Sequence, residues 1–499
     1  MKSRQLKSIR EYITTLEEIG EIKLIDEEVD WNLEMGAIIR YCNENGLPAP
    51  LFNNVKDTKG FRVLGAPVGI SKEDKLYLAR YALSIGLSPT ATGQDIVNAL
   101  IKGRNNKPIP PIEVLSAPCK ENIIKSADID LYKLPVPLAH MGDGGRYINT
   151  FGTIIVQTPD EKWTNWSIAR IMIADKAKMT GLVLPFQHIG KIHAEWKKIN
   201  KPTPFALALG TQPMIPIIAS TPLPKGMNEV DYIGGYFGNP LELVRAETSN
   251  LLIPIESEIV IEGTISHNET ANEGPMGEYP GYIWNKSASK QPVYNVTCIT
   301  HRDDAILPMV VTGAPIDDAH PVIGIGGAAE ILHCLRSSGV PATMAWSPLE
   351  TACHWLVITM PRDWKKKMNS NTKDLMQNIA DVIFNNKFST VTSKILVLGD
   401  DIDPTNTSEV LWAYTTRVHP TRDVYTYTDH VTISLLGYLS NEERRNGKTT
   451  AVIYNGLAPD EWEEKDYPIR SSFKYGYPKQ IQEKALLKLK NARFIKEYN

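Results

Sequence analysis

Residues 257–266 read SEIVIEGTIS. Isoleucine, valine and threonine are stiff at their first side-chain torsion and favour the pleated backbone, so the run predicts a strand. Similar short runs surround it: FGTIIVQ (151–157), ARIMIA (169–174), FALALG (205–210), MIPIIAS (214–220), YNVTCITHR (294–302) and ILPMVVTG (306–313). Turn residues punctuate them, as in a β-barrel or sandwich. One helix is expected within this zone, GNPLELVRAETSN (238–250), starting at Asn239 and Pro240.

The flanks have a different texture. Residues 1–105 predict helices over 6–19, 73–84 and 94–102, alternating with apolar runs such as FRVLGAPVG (61–69). The proline-rich NNKPIPPIEVLSAPCKEN (105–122) predicts a linker or domain edge. Beyond residue 320, AAEILHCLRSS (328–338) and TKDLMQNIADVIFNN (372–386) predict helices, and TACHWLVITM (351–360) and KILVLGD (394–400) predict strands. The last long segment, KQIQEKALLKLKNARF (479–494), predicts a helix with Ile481, Ala485 and Leu489 on one side, suited to packing or subunit contact. The fold class is therefore α/β (α+β) in three parts: 1–120, a β-rich 121–318, and 319–499.

A chain of 499 residues exceeds one ordinary core. Its net charge of −3 gives no reason to expect nucleic acid or an anionic membrane as partner. No apolar run approaches the roughly 20 residues that span a bilayer. The five cysteines are scattered without a C-x-x-C pair, which removes zinc-ribbon and thioredoxin readings. The first twenty residues read as an amphipathic helix without a cleavage signal, so a reducing, cytoplasmic setting is expected.

Several stretches carry chemistry. NEGPMGEYPGY (272–282) sets Glu273 and Glu278 five apart, a poor spacing for one helix face, with Gly274, Pro275 and Gly277 between them. That is a shaped loop bearing two carboxylates. TNWSIARIMIAD (164–175) puts Asn165 and Arg170 at the entrance to an apolar strand, where arginine could clamp a carboxylate or phosphate. VLPFQHIGKIHAEW (183–196) supplies Gln187 and His188, and PKGMNEVDYIGGYFGNP (224–240) supplies Glu229 and Asp231 before a glycine-rich turn. An amide, an imidazole and a carboxylate suit manganese or magnesium better than structural zinc. GIGGAA (324–329) fits G-x-G-x-x-A but lacks a strand directly before it, so it reads as a glycine-rich helix start. DDIDPTN (400–406) lacks the glycine and glutamate of a calcium loop and reads as an Asx-type turn.

Taken together, NWSIAR, PFQHIG, the glutamate of KGMNEVDYIGGYFGNPLELVRAET, SEIVIEGTI and EGPMGEYPGY resemble the UbiD family of decarboxylases, over roughly residues 25–460. Length and segment order are most similar to the fungal ferulic acid (phenylacrylic acid) decarboxylases. The resemblance implies a split β-barrel flavin domain between an N-terminal α/β domain and a C-terminal α/β domain that dimerises. It implies prenylated FMN held with a divalent metal, manganese, and a potassium ion. On this resemblance Asn165, His188 and Glu229 bind manganese, and Trp166, Ala219 and Ser220 supply oxygens to potassium. Asn165, Trp166, Ser167, Ile168, Ala169 and Arg170, with Gln187 and His188, line the cofactor, and Lys387 contacts its phosphate. Arg170, Glu273 and Glu278 match the catalytic arrangement.

Loss of CO₂ from an α,β-unsaturated aryl acid leaves electrons that no ordinary side chain can accept, so a cofactor is needed. The resemblance implies reversible cycloaddition between alkene and flavin, with cinnamic, ferulic or 4-coumaric acid giving vinyl products. Arg170 would orient the carboxylate, Glu278 would donate the proton, and Glu273 would hold Arg170. A donor must be protonated when needed; burial and a second acid favour this, and Arg170 opposes it. The metal's task is electrostatic anchoring rather than hydrolysis. Gln187, Ile323 and TISLLGYL (432–439) are expected to line the substrate pocket. Alternatives are a decarboxylase of 4-hydroxybenzoate-type acids in quinone synthesis, a split-barrel flavin oxidoreductase, and a non-catalytic scaffold. A homodimer and dependence on a flavin prenyltransferase are also implied.

Overall fold

The computed structural model describes residues 4–284 and 288–494. Four sheets organise the chain. The first holds four strands in the order Ile22–Ile25, Ala49–Phe52, Phe61–Gly65 and Ala305–Met309. Its last strand lies parallel to Phe61–Gly65, so the run ILPMVVTG, expected among the strands of the β-rich zone, joins the N-terminal layer instead.

The second sheet has nine strands, and SEIVIEGTIS sits at its centre. Ile259–Glu273 pairs antiparallel with Ser289–His301 on one side and Thr203–Leu209 on the other. Ile259, Val260, Ile261 and Ile265 are all fully buried. Register shifts interrupt the long hairpin at Glu262/Gly263 and Ile265/Thr270, bending the strand. At the first shift Glu262 is fully buried, and its carboxylate accepts from the Glu247 and Thr248 amides and the Thr248 hydroxyl. Beyond the second shift the strand delivers Glu273 to its far end.

Four sequence expectations are corrected here. GNPLELVRAETSN is not a helix. The preceding helix, Glu229–Phe237, ends at Gly238 in the left-handed region, Pro240 follows, and Glu242–Arg245 is a strand. It pairs parallel with Ile112–Val114, a strand inside the proline-rich segment expected to be a linker or domain edge, and antiparallel with Leu252–Pro254. MIPIIAS is not a strand but the helix Met214–Ser220; its buried residues on all sides erase any period. The turn expected after Glu229 is the body of Glu229–Phe237.

The fourth sheet holds Met344–Trp346, Trp355–Met360, Lys394–Gly399, Lys448–Asn455 and Val424–Val431, the middle three mutually parallel. The helix Ala319–Ser337 leads into it. GIGGAA lies inside this helix rather than at its start, and a Cβ on Gly327 would come within 2.1 Å of the Phe388 ring. These glycines serve close packing. Asp403 accepts from the Thr405 amide at 2.9 Å, the Asx turn expected there. Among the described residues no helix is long and apolar enough to cross a membrane.

Candidate active site

Arg170 lies between the strands Thr164–Ser167 and Ile171–Asp175. Its approach is fixed by Asn149, fully buried, whose amide donates to Ala169 O at 2.7 Å and accepts from Gly152 N at 2.6 Å. The guanidinium meets Glu273 through a 3.0 Å hydrogen bond from Nη2 and a 2.9 Å ion-pair contact from Nε. Its Nη1 is in contact with Glu278 Oε1. The Glu273 side chain is fully buried, whereas those of Arg170 and Glu278 keep 13% exposure each. Glu273 is thus an internal strut, whereas Glu278 stays partly exposed.

Other groups complete this cluster. Tyr147 donates from its hydroxyl to Glu273 Oε1 at 2.8 Å. Asp143 Oδ1 accepts from Gly277 N at 2.8 Å, and Gly144 N donates to Pro275 O at 2.7 Å, so the segment at 143–144 braces the acid loop. Tyr147 and Asp143 were missed in the sequence; the glycine pair at 144–145 just before an apolar run was the available signal.

A second cluster forms one strand away. His188 is the first residue of the helix His188–Lys198, and Glu229 the first of Glu229–Phe237. Asn165 Nδ2 donates to Glu229 Oε1 at 3.0 Å and lies 3.5 Å from His188 Nδ1; Trp166 N donates to Glu229 Oε2 at 2.9 Å. Burial pushes the Glu229 carboxyl up to about 7, against the Trp166 amide, Asn165 and the Lys387 ammonium. Burial, then Lys387, Lys191 and Lys225, push His188 down to about 4, leaving a neutral imidazole. Trp163 stands edge-on to His188 at 5.0 Å. Lys191, Lys225 and Trp163 were also missed, although all lie in or beside the stretches singled out.

Polar atoms in this cluster are left over. Asn165 Oδ1, Asn228 Oδ1 and Ser167 Oγ are buried without a hydrogen-bond partner. An unsatisfied buried acceptor beside a buried carboxylate and a neutral imidazole is a donor set that a hard or borderline divalent cation fits. No group of three His, Cys, Asp or Glu that could hold a metal occurs among the described residues, so a zinc-type cage is not the fit. The lysines and two helix starts would receive a phosphate.

The remaining expected residues fall around these clusters. Gln187 directly precedes the His188 helix, its carbonyl accepting from Lys191 N at 3.0 Å without a side-chain capping bond; Ile168 is half-buried, and Trp166 is 1% exposed within the core. Ala219 and Ser220 end the helix Met214–Ser220, which packs beside Thr164–Ser167, and helix C-terminal carbonyls favour cations. Lys387 begins the short helix Lys387–Thr390 and faces Glu229. In the stretch 432–439, Leu436 is fully buried, and a Cβ on Gly437 would come within 2.9 Å of the Tyr282 ring.

An arginine held by two acids within a mixed α/β chain is an arrangement suited to a carboxy-lyase. Family models agree along the chain: the 3-octaprenyl-4-hydroxybenzoate carboxy-lyase N-terminal domain matches residues 13–100, its Rift-related domain 112–315, and its C-terminal domain 320–452. The chain belongs to the UbiD family and is a decarboxylase. It is 37% identical over 482 residues to ferulic acid decarboxylase 1 of Saccharomyces cerevisiae, and 36% identical over 477 residues to pyrrole-2-carboxylic acid decarboxylase of Pseudomonas aeruginosa, each match covering 95% of this chain and 96% of the relative. Among solved structures, the UbiD-class enzyme HmfF from Pelotomaculum thermopropionicum in complex with FMN superposes with a TM-score of 0.81 at 25% identity, covering 98% of this chain and 100% of that one.

Proposed function

We propose that this chain catalyses the prenylated-FMN-dependent, non-oxidative decarboxylation of α,β-unsaturated aryl acids of the cinnamic, ferulic and 4-coumaric type. The observation that carries the reading is Arg170 gripped by a buried acid on one side and touched by a partly exposed one on the other. An arginine engaged in this way suits transient neutralisation of a substrate carboxylate, which must be oriented but not held too tightly. Arg170 orients that carboxylate, Glu273 with Tyr147 keeps the guanidinium in place, and Glu278 delivers one proton to the carbon that loses CO₂. Prenylated FMN, when bound, supplies the electron sink for this cleavage. Asn165, His188 and Glu229 would hold its divalent cation, manganese being our choice. Lys387 would hold its phosphate, and oxygens of Trp166, Ala219 and Ser220 would hold potassium. The likeness to a ferulic acid decarboxylase supports the substrate class. The chain would work as a cytoplasmic homodimer supplied by a flavin prenyltransferase, with functional boundaries near residues 120 and 318.

The test is expression with and without a flavin prenyltransferase, then an absorbance spectrum and a panel of cinnamate, ferulate, 4-hydroxybenzoate and pyrrole-2-carboxylate. Styrene from cinnamate, seen only after co-expression, is the expected result. Turnover of 4-hydroxybenzoate or pyrrole-2-carboxylate alone would overturn the substrate class, and reduction of bound flavin by a nicotinamide cofactor without CO₂ release would overturn the reaction.

A further inference from the structure

The acid loop contains Gly274 and Gly281, both at positive φ (86° and 92°), on either side of Glu278. Glycines there give the backbone freedom that a proton donor cannot tolerate. Two side chains remove that freedom. Thr312 donates from Oγ1 to Gly277 O at 2.5 Å, and His320 donates from Nε2 to Tyr279 O at 2.8 Å. The carbonyls they hold belong to the residues immediately before and after Glu278.

His320 is fully buried. Its Nδ1 accepts from Asp317 N at 2.8 Å and lies 3.2 Å from Asp317 Oδ1. Whether the ring is neutral or paired with Asp317 as a cation, Nε2 carries a hydrogen. Asp317 is itself fully buried and accepts from Gly313 N at 2.7 Å, Ala319 N at 2.8 Å and Arg40 Nη1 at 3.2 Å. Arg40 also donates to Val311 O and Ala314 O. The chain of support therefore runs Arg40, Asp317, His320, Tyr279 carbonyl, ending one residue from Glu278. Packing alone does not call for it: an apolar side chain fills such a space without burying ionisable groups.

We propose that His320, oriented by Asp317 and assisted by Thr312, is a positioning residue that fixes where Glu278 presents its carboxyl group. This rests on the reading of Glu278 as proton donor. A misplacement of about 1 Å can cost roughly a hundredfold in rate, so removing the His320 donor is expected to lower kcat by about that factor.

The test compares His320→Leu, His320→Gln and Thr312→Val in flavin-loaded protein. His320→Leu is expected to lower kcat by about 10²-fold with KM and flavin absorbance within about twofold of the parent, and to raise the solvent deuterium isotope effect as proton delivery becomes slower. His320→Gln retains an N–H donor and should recover at least about tenfold of the loss. Thr312→Val preserves volume and should show the same isotope signature with a smaller drop. Equal losses of flavin binding and rate with an unchanged isotope effect would mean a merely structural role and overturn the proposal. So would wild-type rates in both the leucine and valine variants. Should His320→Leu fail to fold, the other two carry the comparison. Cofactor-free crystal structures give a readout independent of turnover: the Arg170–Glu278 contact is expected to be lost in the leucine or valine variant and kept in the glutamine one. An intact contact in the former two overturns the positioning role. A wild type inactive on every acid, or a fully active Glu278→Gln, overturns instead the proposed reaction or donor.

Discussion

Glu273 and Glu278 contact the same guanidinium from unlike settings. Glu273 ends a strand and is wholly enclosed, while Glu278 stands on a loop and stays partly exposed. Glu278→Gln is expected to lower kcat by about 10³-fold or more while the flavin spectrum of the purified protein stays unchanged, which single-turnover assays and absorbance would check. Arg170→Ala strands Glu273 in the interior with Tyr147 as its remaining side-chain donor. Breaking a buried pair costs about 3–5 kcal/mol, so denaturant unfolding should show a loss near the lower end of that range. At this scale the sequence was most informative where several residues formed one motif: Asn165 with Arg170, and Glu273 with Glu278. It was silent on Tyr147, Asp143 and His320, because each reaches the cluster only through folding over long chain separations.

Elements bring these groups within reach, and their own packing can be tested. Gly327 in the helix Ala319–Ser337 lies against Phe388, the residue after Lys387. Gly327→Leu should cost about 1–3 kcal/mol through overpacking and displace Lys387, so thermal unfolding and flavin retention during gel filtration should fall together. Asp318, next to that helix, is fully buried; burial pushes its carboxyl up to about 6, against hydrogen bonds from Val68 N and Asn43. A carboxyl raised in the folded state stabilises below its unfolded value, and that contribution is lost as pH rises through 6. The Tm of Asp318→Asn relative to wild type should therefore climb from pH 4 to pH 7; a flat difference across that range would contradict the assignment. The β-branched runs of the central sheet were legible because local propensity and tertiary pairing agree there. MIPIIAS and GNPLELVRAETSN were misread for opposite reasons. The first is buried all round, so composition spoke for a strand where the chain forms a helix. The second carries helix-like spacing, yet Leu243 and Val244 are buried by pairing with strands distant or adjacent in sequence.

Across the whole molecule, the largest apolar cluster runs without a break from Val68 and Ile96 through Trp166 and Ile217 to Ile325, Ile358 and Ile383. The central and C-terminal parts therefore share one interior, and Lys387 reaches the first part's cofactor-side cluster from the second. The C-terminal helix Lys479–Asn491 is the exception: none of its residues is buried, and Ile481, Leu486, Leu487 and Leu489 are exposed. On the proposed homodimer this helix has a partner to cover it. Replacing Leu486 and Leu487 with glutamate should shift the mass measured by light scattering from dimer to monomer, and a wild type already monomeric would refute the assembly. The lysines around His188 carry a last consequence for handling the protein. On the proposed cofactor assignment, three ammonium groups and two helix starts would recognise an oxyanion, not the isoalloxazine attached to it. Orthophosphate in a purification buffer would then compete with the cofactor, and reconstitution in an amine or zwitterionic buffer should reach full flavin occupancy sooner.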